Sequence, residues 1–133
     1  MTGLDIDRER LLVFRVGEAY LFAEYFHNEA LFADLEPYYD GDSYRFEVPA
    51  AEFEGVSERL RAAYYEPVVV EDVESYCVVK ERYIANAEIL RESVVNWQRR
   101  GYNFFLLPDE RAVTAALEAG ATRAVDVDLA LGL

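Results

Sequence analysis

Lysine is almost missing from this chain. Of its thirteen basic residues twelve are arginine and one, Lys80, is lysine, against twenty-six acidic residues. Cysteine is reduced to Cys77, so one chain can form neither an internal disulfide nor a thiolate metal cluster. Histidine is reduced to His27, which excludes a His-rich zinc site within one protomer. No Gly-rich phosphate loop, G-x-S-x-G elbow or Cys-x-x-Cys pair occurs, and the seven glycines stand alone. No apolar run approaches the eighteen residues of a membrane helix. The start, Met1 to Asp7, lacks the basic and apolar regions of a signal peptide. These absences point to a cytoplasmic protein with no cofactor or metal implied.

What is present is carboxylate and aromatic surface. Ten Tyr and eight Phe in 133 residues supply large rings for a core, and 53% of the residues are hydrophobic. That is one domain's worth of chain, residues 1–133, able to bury a core without staples. The net charge of −13 is self-repulsive in dilute buffer. The Debye length falls from about 10 Å at 0.1 M salt to about 3 Å at 1 M, which relieves the repulsion. Arginine in place of lysine exchanges a strongly hydrated ammonium for a weakly hydrated planar group. Acid excess with almost no lysine resembles the cytoplasmic proteins of an extreme halophile that accumulates salt. The resemblance implies a fold that needs high salt, and it names no functional family. It also weakens net charge as a witness about partners, because phosphate binding by counterion release fades in molar salt. Nothing in the composition positively suggests nucleic acid or membrane.

Along the chain, Leu11 to Val16 reads as a strand ended by Gly17. Residues 18–35 fit two patterns: strands through Tyr20–Ala23 and Tyr25-Phe26 with a turn at His27-Asn28, or a helix face of Phe22, Phe26, Leu31 and Leu35. Strands are preferred, since aromatics suit a pleated surface. Asp40-Gly41 makes a turn leading into the alternating strand Tyr44–Val48. Pro49 starts a helix whose stripe is Phe53, Val56, Leu60 and Tyr64, and Pro67 breaks it before the strand Val68–Val70. Residues 72–100 are either a strand at Tyr76–Val79 followed by a helix from near Arg82, or one helix about 40 Å long. The strand reading is preferred, and in both the helix ends at Gly101. Tyr102–Leu107 is a strand, Pro108 to Gly120 a helix, and Val125–Leu131 alternates as a half-buried strand. The sum is an α+β domain with a single mixed or antiparallel sheet covered by two or three helices.

Few constellations suggest chemistry. His27 as a general base would need Glu24 or Glu29 to orient it. Asp40-x-Asp42 matches a fragment of a calcium loop whose remaining ligands do not follow, and Asp126-x-Asp128 is explained by strand alternation. Trp97, Arg99, Arg100 and Tyr102 gather the stacking and guanidinium groups that hold single-stranded nucleic acid or a nucleotide. They also read as the end of a helix. The doublets Tyr38-Tyr39 and Tyr64-Tyr65 cannot both face one core, so some of these rings should face outward, as interface tyrosines do. The leading expectation is therefore a non-enzymatic domain that works through protein contact as a homodimer, through the tyrosines or by pairing of the Val125–Leu131 edge. The alternatives are an enzyme or small-molecule binder using Glu, Tyr and Arg in a sheet–helix pocket, and a nucleic-acid accessory factor built on Trp97.

Overall fold

Gly17 and Glu18 form the two-residue turn of the first hairpin, with Gly17 left-handed at φ +61°. Glycine adopts that backbone without a Cβ penalty. The structure is a computed structural model that describes residues 8–81, 84–127 and 131–132. The chain divides into two compact units, Met1–Val70 and Glu71–Leu133.

In the first unit the hairpin joins β1 (Glu9–Val16) to β2 (Ala19–Phe22). Asn28 then caps α1 (Glu29–Leu35), its Oδ1 accepting from the Leu31 N–H at 3.0 Å. A short 3-10 turn leads to β3 (Tyr39–Asp40), which pairs with β4 (Arg45–Pro49). A second 3-10 turn precedes α2 (Phe53–Ala62), and the chain returns as β5 (Tyr65–Val70). The strand order is β3-β4-β2-β1-β5, with β1 and β5 parallel and the other pairs antiparallel. Strand alternation brings Leu11, Val13, Phe22, Phe46 and Val48 into one core with Phe26, Leu31, Leu35, Val56 and Leu60. Phe46 is its hub: Phe22 stacks on it at 5.0 Å and Tyr39 tilts against it at 4.9 Å. Each such buried ring stabilises by roughly 1.5–3 kcal/mol. Leu12 and Phe14 are buried as well, so β1 is covered on both faces.

The second unit holds β6 (Cys77–Glu81), α3 (Ala87–Glu92), β7 (Val95–Arg99), β8 (Tyr102–Leu106), α4 (Glu110–Glu118) and β9 (Thr122–Arg123). Its sheet runs β7-β8-β6-β9 and is antiparallel throughout. Val78, Phe105 and Leu107 form a core with Ile89, Val113 and Ala116. Asp109 caps α4 through Ala112 N–H at 2.8 Å. Gly120, at φ +99°, ends that helix while the Ala121 N–H reaches back to the Ala116 carbonyl.

The class is α+β, but two sheets replace the single sheet expected, and four α-helices lie among the described residues. The largest departure is at residues 82–100. The strand preferred at 76–79 is present as β6, which begins at Cys77, but among the described residues the helix that follows covers Ala87–Glu92 alone, and Val95–Arg99 is the strand β7. Arg100 (φ +51°) and Gly101 (φ +82°) are both left-handed, the signature of a type I′ turn that folds β7 onto β8. Arg99 and Arg100 therefore sit at a hairpin, not in a helix's last turn. The helix after Pro49 begins with α2 at Phe53 and ends at Ala62, before Pro67, which lies inside β5. Val125 and Asp126, where the strand expected over 125–131 would begin, lie in a 3-10 turn (Ala124–Asp126). Arg82, Asp128, Leu129 and Ala130 lie outside the described residues.

Candidate functional site

The tyrosine doublet at the end of α2 is split by a backbone that glycine would normally occupy. Ala63 closes the helix, its N–H reaching the carbonyls of Arg59 and Leu60 at 3.2 and 3.0 Å. Tyr64 follows at φ +68°, its N–H on the Arg61 carbonyl at 3.0 Å. Its own carbonyl accepts from Glu9 N–H at 2.8 Å and so starts the β1–β5 ladder. A non-glycine residue at such a helix end costs on the order of 1–2 kcal/mol. The left-handed turn sends the two rings in opposite directions. Tyr64 is 54% exposed, whereas Tyr65 packs edge-on to Phe26 at 5.1 Å. Burial raises the Tyr65 phenol pKa, with Glu24 and Glu9 adding to the shift.

Tyr25, which the sequence did not mark as a site residue, and His27, weighed there only as a general base, join this end. Tyr25 is 77% exposed and meets the exposed His27 edge-to-face at 4.8 Å. Tyr25 precedes Phe26 and Tyr64 precedes Tyr65, and the Phe26–Tyr65 contact brings both outward rings to the same end of the sheet. Around Tyr64 the rim carries both signs. Arg8 Nε donates to the Arg61 carbonyl at 3.3 Å, and Arg61 pairs with Glu66 at 3.0 Å. That exposed pair is worth about 0.2–1 kcal/mol at low salt. No family model, curated protein or solved structure matches the chain.

The other tyrosine doublet lies elsewhere. Tyr38 donates its hydroxyl to Glu52 at 2.9 Å, a bond that raises its pKa, and Tyr39 packs on Phe32 and Phe46. Both rings are half-buried. Asp40 and Asp42 belong to a turn in which Asp40 Oδ1 accepts from Asp42 N–H at 3.0 Å. That bond, with help from Ser43, lowers the Asp40 pKa. Among the described residues no three His, Cys, Asp or Glu side chains are grouped to hold a metal ion.

In the second unit Trp97, Arg99, Arg100 and Tyr102 share the β7–β8 hairpin but do not form an open stacking platform. Trp97 lies flat on Phe104 at 5.3 Å and 13°, and its Nε1–H donates to the Leu131 carbonyl at 2.7 Å. Tyr102 and Arg99 are half-buried, with the Arg99 Nε enclosed, and only Arg100 at the turn is exposed. A groove of about 490 Å³ runs between α3 and α4, floored by Ile89, Leu107 and Ala116. Its rim holds Glu88, Arg91, Glu92 and Arg111, and none of its described lining residues is tyrosine. Cys77 is buried, with Sγ 3.4 Å from the Val73 carbonyl, and desolvation pushes its thiol up to about 12. Such a thiol is no nucleophile near neutral pH. Among the described residues no helix is long and apolar enough to cross a membrane.

Proposed function

We propose that this protein works by protein–protein contact, as a homodimer joined through the tyrosine end of its first unit, in concentrated salt. The observation that carries the reading is Tyr64, a bulky ring held outward by a backbone conformation that costs stability. Unfavourable backbone kept at a surface position is characteristic of binding and switch sites. Tyr25 adds a second exposed ring, and tyrosine is enriched at the centres of interfaces. A two-fold contact sets one patch against a copy of itself, so it needs a rim of both signs. Arg8 and Arg61 beside Glu9 and Glu66 supply that rim. In molar salt the charges are screened and the rings carry the contact.

Sedimentation equilibrium in molar KCl tests this. The mass should be near twice the 15.3 kDa of one chain, and Tyr25→Ala/Tyr64→Ala should halve it while leaving the circular dichroism spectrum unchanged. A native chain that stays monomeric at high concentration overturns the reading.

A further inference from the structure

Carboxamide side chains are scarce here: the chain has four Asn and one Gln. Four of these five, Asn86, Asn96, Gln98 and Asn103, line one hollow of about 170 Å³ in the second unit. The fifth, Asn28, is the cap of α1. Antiparallel register explains the gathering. Gln98 lies opposite Asn103 and Asn96 opposite Phe105, so alternation puts all four residues on one face of the β7–β8 hairpin. Asn86 precedes α3 in the position of a cap, yet its side chain makes no cap hydrogen bond. Leu90, one turn further along α3, borders the hollow and is 45% exposed. Every described residue that lines the hollow is uncharged, in a chain that is 29% Asp, Glu, Lys and Arg. Lys80 stands opposite Asn103 on β6, but its ammonium donates to the Ala85 carbonyl at 2.8 Å.

We infer that this hollow is a binding site for a neutral polyhydroxyl compound, a sugar or small polyol. A carboxamide offers two donors and an acceptor without charge, matching a hydroxyl, which also both donates and accepts. Leu90 gives an apolar surface for the C–H face of a sugar ring. An anion would meet no cation in the hollow and the field of a chain at −13. A nucleobase would need an open aromatic face, whereas Phe105 is buried and Trp97 lies flat on Phe104. Hydrogen bonds between uncharged groups escape Debye screening, so the site keeps its affinity in brine. The site is independent of the tyrosine contact.

The scarcity that reveals the site also supplies the test. A ¹⁵N–¹H correlation spectrum of the full chain in molar KCl carries only five side-chain NH₂ pairs. Titration with D-glucose, D-ribose and glycerol should move the pairs of Asn86, Asn96, Gln98 and Asn103 saturably for at least one probe, and leave that of Asn28 in place. The variant Asn96→Ala/Gln98→Ala should lose about tenfold in affinity, as expected for two hydrogen bonds. If that variant does not fold, Gln98→Glu keeps the side chain's size and should weaken binding of the same probe. The inference is overturned if the four pairs stay still with all three probes, if Asn28 moves with them, or if the folded variant binds as tightly as the native chain.

Discussion

Replacing Tyr64 separates the cost of its backbone from the worth of its ring. Tyr64→Ala and Tyr64→Gly both delete the ring, so they lose the same packing and the same outward surface. They differ in the left-handed turn at φ +68°. Alanine retains a Cβ and with it the penalty of about 1–2 kcal/mol. Glycine removes that penalty but gains freedom in the unfolded chain worth about 0.5–1 kcal/mol. The glycine variant should therefore be the more stable of the two by roughly 1 kcal/mol, or roughly 4 °C in Tm. Inside a helix the order would be reversed, with alanine ahead by a similar amount. Thermal and urea denaturation in molar KCl measure the difference, and sedimentation measures association. Both variants should be monomeric. If alanine equals or exceeds glycine, the claim of backbone cost is wrong. If either variant still dimerises like the native chain, the ring is not the contact.

Three other outcomes follow from the same structure. The unfolding midpoint should rise steeply between dilute buffer and molar KCl, because screening relieves a net charge of −13; a midpoint independent of KCl refutes the halophilic reading. Burial raises the Cys77 pKa from 9.0 to about 12, so the thiol's contribution to stability is complete below pH 9 and is lost as pH rises toward 12. Cys77→Ala should flatten the pH dependence in that window, and the native thiol should resist disulfide reagents at pH 8 until the chain is unfolded. The Glu9–Tyr64 bond sets the even-numbered backbone groups of β5 toward β1, so Pro67 lies on the side facing away. Pro67 is buried, so Pro67→Val would place a new N–H there with no strand to accept it and should cost about 1–3 kcal/mol of stability in urea denaturation; an unchanged midpoint would show that the new donor finds a partner.

Local chemistry was readable where one residue decides a conformation. Gly17 marked the first hairpin, the stripe Phe53, Val56 and Leu60 marked α2, and Gly120 marked the end of α4. Residues 18–35 held both of their competing signals in succession, a strand through Phe22 and a helix from Glu29, and Asn28 proved to be a helix cap. Residues 95–99 were lost because Tyr83, Leu90, Val94 and Trp97 also fit a helical spacing. The deciding feature was the Arg100-Gly101 turn, and an arginine at positive φ is not an obvious hairpin signal. The two-sheet arrangement depends on which strands pair, and alternation within a strand carries no information about its neighbour. At the candidate site, the argument that adjacent tyrosines must diverge anticipated Tyr64 and Tyr65. It failed for Tyr38 and Tyr39, where Glu52 and a two-residue strand accommodate both. Tyr25 had no sequence signal of its own, since its exposure follows from the direction in which Phe26 is buried.

The parallel pairing of β1 with β5 has a kinetic consequence. Glu9 waits for Tyr65, so the strand at the heart of the first sheet lacks one neighbour until α2 has been made and has crossed over. During synthesis the β1–β2 and β3–β4 hairpins can form early from nearby residues, while the ladder that completes the sheet closes last. Long loop closures of this kind slow folding, and a ribosome stalled before Val70 would hold a nascent chain whose longest strand, with Leu11 to Phe14 at its centre, is still unpaired on that side.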